Sequence, residues 1–298
     1  MRKMDAKFHS LLKSFYFFSL FIILALFNIG GCGGGGGGDG GEPPPPASTE
    51  NKLNVEILDV TISSNPVVTF RLTDDKGNPV DRNNVNMSFI IARIPRGEEQ
   101  YSNYITRVQT SPTTNQSVIQ ADFEGSSANP LNPSGFVDLG DGVSRYTFNT
   151  ALPENFDRGV THTVGIFATR DVGSQRFVSN ATFNFVPAGG AVTTIRDVVR
   201  VEACNTCHDP LALHGGSRRD VKLCVLCHST EIVNPDNGQI VDQVDPGTGN
   251  KIGFEIMIHK IHYAEELPSV QAGIPYEFEA FMDRIVDFSN VVFPQDAR

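Results

Sequence analysis

Two five-residue segments constrain this chain most: Cys204-Asn205-Thr206-Cys207-His208 and Cys224-Val225-Leu226-Cys227-His228. Each is a complete CxxCH, and both fall within 25 residues. Two thiols three residues apart reach the two vinyl groups on one porphyrin edge and form thioethers. The next residue then places an imidazole beneath the iron. The pattern reads as two sites of c-type haem attachment, with His208 and His228 as proximal ligands.

Rival chemistries use the same sulfurs. Sixteen residues separate Cys207 from Cys224, so the four cysteines also read C-x2-C-x16-C-x2-C, within the range of a tetrahedral zinc site. Zinc gives no reason for a His after each second cysteine. Two disulfides are a third option, although CxxC pairs are more often redox or metal devices than staples.

Each haem iron needs a second axial ligand or an open site. The same region offers His214, His259 and His262. The last two lie in a stretch, 254–262, that reads as a helix. At i and i+3 they are about 60° apart and share a face. They cannot grip opposite sides of one porphyrin, so as ligands they serve different haems. His214 precedes Gly215-Gly216, which reads as a helix stop, and it lies too near His208 to reach round that haem. It is expected to ligate a neighbour. Two haems need two distal ligands and three candidates exist, so one is idle or a third haem belongs elsewhere. Met257 and Met282 are alternative axial ligands that would raise the potential. Bis-imidazole ligation closes both faces of an iron and favours electron transfer. A catalytic haem protein would instead need an open coordination site.

The N-terminus reads as an export signal. Arg2, Lys3, Lys7 and Lys13 precede an apolar run over 15–27 that is too short to span a bilayer. Ile29-Gly30-Gly31-Cys32 follows and resembles a bacterial lipobox, which implies cleavage before Cys32 and its lipidation. Residues 32–52, rich in Gly and Pro, read as a disordered tether. Multiple acylation suffices for stable anchoring.

Residues 53–190 read as a β-rich domain. Short apolar and alternating runs are punctuated by turn clusters such as Asp74-Asp75-Lys76-Gly77-Asn78-Pro79 and Gly140-Asp141-Gly142. Expected strands include 67–72, 87–94, 118–123, 146–149, 163–169 and 177–186, giving an antiparallel sandwich or small barrel. Its lone histidine, His162 between two threonines, is expected at an edge or surface. The domain shows no nucleophile or paired carboxylates and reads as a structural or docking module. A net charge of -10, with 24 Lys+Arg against 34 Asp+Glu, argues against nucleic-acid binding.

Several stretches resemble the OmcA/MtrC family of outer-surface decahaem c-type cytochromes. They are both CxxCH motifs, Leu211-Ala212-Leu213-His214-Gly215-Gly216, Met257-Ile258-His259-Lys260-Ile261-His262, Phe293-Pro294-Gln295-Asp296 and Ala181-Thr182-Phe183-Asn184-Phe185-Val186-Pro187. The resemblance implies a mainly β N-terminal domain, a Greek-key sandwich or split barrel. A largely irregular and α multihaem c-type domain follows over 191–298. It implies that His208, His228, His214, His259 and His262 are iron ligands, with two haem c groups here and a ligand for a third. It also implies a lipid-anchored, surface-exposed outer-membrane protein. Such a protein passes electrons to metal oxides or flavins, beside a porin–cytochrome conduit or other surface cytochromes. That is electron transfer rather than classical enzymology, with metal-oxide reduction belonging to a larger protein. A zinc-stabilised surface binding protein is the rival. Family members carry about ten haems over a much longer chain, with another CxxCH soon after the segment like 293–298. The expectation is therefore an N-terminal part of such a protein.

Overall fold

The computed structural model describes residues 53–280 and 284–294. The export signal, Cys32, the tether and Met282 lie outside the described residues. Ten strands come first. They are β1 (Asn54–Ile62), β2 (Pro66–Thr73), β3 (Asn86–Arg93), β4 (Ser102–Asn103), β5 (Thr106–Thr110), β6 (Ser117–Ala121), β7 (Phe136–Gly140), β8 (Val143–Thr147), β9 (His162–Val172) and β10 (Gln175–Phe185). Two four-stranded antiparallel sheets result, ordered β1-β2-β8-β7 and β10-β9-β3-β4, with β5 and β6 as a separate hairpin. The mainly β expectation holds.

The first sheet is one-sided. Along β2, Val68, Phe70 and Leu72 are buried while Val67, Thr69 and Arg71 are not, the period-two pattern of a strand with one wet face. Those side chains meet Phe89, Ile91, Val164 and Ile166 of the second sheet across an apolar core. At its centre Phe89 stacks on Tyr146, ring centroids 4.2 Å apart. Fully burying each such side chain is worth about 1.5–3 kcal/mol.

The second sheet is buried on both faces. Burial runs unbroken from Met87 to Ala92 in β3 and from His162 to Ala168 in β9. The face turned away from the sandwich, with Ile90, Ala92 and Ile94, packs against Leu211, Val221, Val225, Leu226 and Phe254. A strand covered on both sides loses its alternation and reads as a continuous apolar run.

The covering segment holds four short helices, α1 (Val201–Cys204), α2 (Val221–Cys227), α3 (Phe254–His262) and α4 (Pro268–Gln271). Two small hairpins accompany them, β11 (Glu231–Val233) with β12 (Ile240–Asp242) and β13 (Glu277–Glu279) with β14 (Ile285–Asp287). The helix expected over 254–262 is α3. Among the described residues, no helix is long and apolar enough to cross a membrane.

Two expectations are corrected. Gly215-Gly216 does not stop a helix, because α1 ends at Cys204 and the glycines close a tight loop instead. His162 is neither at an edge nor on the surface. It is 0% exposed, at the head of β9 between β3 and β10, and ringed by Tyr104, Phe156 and Phe185. Tyr104 Oη lies 2.8 Å from its Nε2, and its Nδ1 donates to the Val160 carbonyl at 3.0 Å. The flanking threonines concealed an aromatic box assembled from distant strands.

Candidate haem-attachment site

Both CxxCH motifs sit on helical turns. The His208 amide donates to the Cys204 carbonyl at 2.9 Å, and the His228 amide donates to the Cys224 carbonyl at 2.9 Å. That i, i+4 bond brings each histidine onto the face of its first cysteine. The second motif is the better anchored. Asp220 caps α2 by accepting from the Lys222 amide at 3.0 Å. Asn180 on β10 accepts from the Arg219 amide at 2.7 Å and donates to the Ser217 carbonyl at 2.9 Å, fixing the entry to the helix. Leu223 and Leu226 then lie over Gly165 of β9, where a side chain would collide with both.

Residues after the motif grip it from the other side. The His228 Nδ1 lies 2.9 Å from the Ile252 carbonyl, and the Phe254 amide donates to the His228 carbonyl at 2.8 Å. Gln243, 0% exposed, donates to the Cys227 carbonyl at 3.1 Å and accepts from the Ala121 amide at 2.8 Å. The β5–β6 hairpin is thus tied to the motif through one buried amide side chain.

The imidazoles come in pairs. His208 and His262 have ring centroids 6.2 Å apart with planes at 86°. His214 and His228 are 5.8 Å apart with planes at 31°. An imidazole nitrogen binds a transition metal at about 2 Å, and the ring centre lies about another 1 Å beyond. Two rings on opposite sides of one iron therefore have centroids about 6 Å apart. Both pairs have that spacing.

Local backbone produces the pairing. His214, Gly215 and Gly216 all have positive φ, +50°, +71° and +82°. This left-handed run closes a loop whose ends, Leu213 and Arg218, exchange backbone bonds at 3.0 and 3.2 Å. Only glycine enters that region freely, so two of the three positions suit it, and His214 rides at the loop tip. Helix α3 supplies the other partner. It begins against His228 and ends at His262, which faces His208. Its eight steps of about 1.5 Å connect the two sites over about 12 Å. His259, exposed on α3, has no imidazole partner among the described residues. Met257 is half-buried on the same helix.

Tautomer and charge suit metal ligation. A carbonyl oxygen can only accept, so Nδ1 of His228 carries a proton toward Ile252. Nδ1 of His262 does the same toward Ile258 at 2.8 Å. In each neutral ring the Nε2 lone pair is then free. His214 keeps exposed surface, yet desolvation by its packed neighbours, with His228, Arg218 and Arg107 adding repulsion, lowers its pKa to about 4. Desolvation likewise lowers that of His228. Both rings stay neutral at pH 7, the form that ligates.

Burial pushes the Cys224 thiol up to about 11 and that of Cys227 up to about 12, so both stay protonated at pH 7 when nothing is bound. The four cysteines, Cys204, Cys207, Cys224 and Cys227, are free of disulfides. Among the described residues no three His, Cys, Asp or Glu side chains converge to hold a metal ion directly. Iron carried in a porphyrin needs no such convergence, only a pair of imidazoles and nearby thiols.

A β-sandwich bearing two CxxCH turns, each with a second imidazole about 6 Å from its own, is the build of a multihaem c-type cytochrome. Comparisons with known proteins agree. Residues 196–286 match the family model for "Outer membrane cytochrome MtrC/MtrF-like, domains II/IV". The multiheme cytochrome MtrC of Shewanella baltica (strain OS185) is 33% identical over 150 residues, 47% of this chain and 21% of that protein. The crystal structure of the outer membrane decaheme cytochrome OmcA superposes with a TM-score of 0.65 at 26% identity, covering 83% of this chain and 39% of that one. MtrC from Shewanella baltica OS185 does so at 0.50 and 27%, covering 72% and 33%. These matches support an OmcA/MtrC-family multihaem cytochrome. The chain spans about a fifth of the curated relative and about a third to two fifths of the two solved structures.

Proposed function

We propose that this chain is a lipid-anchored, surface-exposed outer-membrane cytochrome. It holds haem c at Cys204/Cys207/His208 and at Cys224/Cys227/His228. His262 is the distal ligand of the first haem and His214 of the second. The two imidazole pairs, at 6.2 and 5.8 Å, carry this reading. A bound haem supplies a one-electron ferric/ferrous couple. The polypeptide does the rest. Ile252 and Ile258 orient two of the ligating rings, and the sandwich buries the second motif. With a second imidazole about 6 Å from each motif histidine, a haem held at either motif would have no open coordination position, which favours electron transfer over the catalytic reading. His259 is left as a ligand for a third haem. The electrons pass outward to metal oxides or flavins, from a porin–cytochrome conduit or another surface cytochrome. The anchor is Cys32, freed by removal of residues 1–31.

The test is ligand access. The haem-loaded, dithionite-reduced chain exposed to carbon monoxide is expected to keep its spectrum and to be reoxidised by a soluble flavin or ferric complex. A carbon monoxide shift in one haem would favour the catalytic alternative.

A further inference from the structure

Among the described residues, two arginines near the second motif form no ion pair, although the charge of Asp122 is felt at Arg218. Arg107 lies on β5, and its Nε is buried with no hydrogen-bond partner. Its one side-chain bond is a long one, Nη2 to Gln120 Oε1 at 3.3 Å. Gln120 in turn donates to the Val244 carbonyl at 2.9 Å, and Thr114 at the hairpin turn donates to the Pro246 carbonyl at 2.9 Å. The hairpin that carries Arg107 is therefore held against the cytochrome segment. Arg218 closes the His214 loop. Its guanidinium lies 3.8 Å from the ring centre of Phe167 and 4.8 Å from that of Phe123, and it donates to Ser217 Oγ at 2.7 Å.

Neither guanidinium forms an ion pair among the described residues, although five other cations do. Asp122, buried nearby, is taken up by Ser126 and Asn129, both at 2.7 Å. The positive charges of both arginines are felt at His214 and at Cys227, an imidazole and a thiol of the same site. A cation withdrawn from water without a counter-charge is costly. A guanidinium fork matches a carboxylate bidentately, and a haem brings two propionate carboxylates.

We infer that Arg107 and Arg218 are the carboxylate-binding residues for the haem of the second motif, and that they raise its reduction potential. The inference rests on the proposal that Cys224–His228 holds haem. It gives the sandwich a part in tuning the redox centre, because β5 contributes one of the two cations. Reduction removes one positive charge from the iron. A nearby fixed cation therefore favours the reduced form, and its loss lowers the potential.

The experiment is a spectroelectrochemical titration of the full haem-loaded chain, resolved into two components. Arg107→Gln, with two haems still counted by pyridine haemochrome, is expected to move one component to a more negative potential and leave the other in place. Arg218→Gln should move the same component, and Arg107→Lys should largely retain the wild-type value. Unmoved midpoints in both glutamine variants would overturn the inference, as would equal shifts of both components or a lysine variant that behaves like glutamine. Should Arg107→Gln fail to load, Arg218→Gln decides the matter by the same criteria. A wild-type chain without c-type haem would show instead that the underlying proposal is wrong, and the inference would fall with it.

Discussion

Gly165 lies directly beneath Leu226: a Cβ at this point of β9 would stand 2.8 Å from the Leu226 Cδ1, and equally close to Ile90 on the neighbouring strand. The helix that carries the second motif packs closely on the sheet here, where the position has no side chain. Gly165→Val is expected to destabilise the protein by about 1–3 kcal/mol through overpacking and to lower haem occupancy at the second motif more than at the first. Urea unfolding gives the first quantity. Peptide mass mapping of the two motifs gives the second, and equal occupancy would contradict the packing argument.

Glu124, 1% exposed, accepts from the Tyr146 hydroxyl and from the amides of Asn149 at 2.9 Å and Thr150 at 2.7 Å. Glu124→Ala strands three donors, the buried Tyr146 hydroxyl and two amides at the edge of the sandwich core. A loss of about 3 kcal/mol is expected, read as a lower denaturation midpoint at unchanged slope. Glu124→Gln, which still accepts hydrogen bonds, should lose less.

Protonation of His162 opposes folding. Burial, the largest influence, lowers its pKa below the model-peptide value of 6.5; the bond to Val160 and the Asp157 charge partly oppose this, and Arg93 adds to it. Below about pH 6.5 the unfolded chain then binds the proton that the folded one refuses. The stability is complete above that value and falls as pH drops toward the folded pKa. Melting temperatures of wild type and His162→Gln should therefore converge between about pH 7 and pH 5. A constant gap would show that His162 does not titrate in this way.

The strands and both motifs were legible because local pattern specifies them. Val67 to Leu72 alternates and is β2, and the run that became β3 is apolar because two layers cover it. Strand β7 was not legible. Val137 and Leu139 are exposed at 41% and 51%, so it buries too little to show a period. The shared face of His259 and His262 was legible from helix geometry. Which imidazole meets which was not, since His214 reaches His228 through a loop with three consecutive left-handed residues. Arg107 was missed for a related reason: one cation on an amphipathic strand gives no signal until the hairpin docks on residues 243–246.

The pairing makes a separable prediction. In a single-haem background with Cys204 and Cys207 replaced by Ala, His214→Met is expected to raise the potential of the remaining haem, because a thioether ligand favours ferrous iron. His262→Met should leave it unchanged. The reverse result would exchange the distal assignments.

The most direct measurement is the intact mass of the chain made in a host competent for cytochrome maturation. Two covalently added haems are expected, falling to one when Cys204 and Cys207 are both replaced by Ala and to none when Cys224 and Cys227 are replaced as well. A colourless product with the mass of the bare polypeptide would contradict the account.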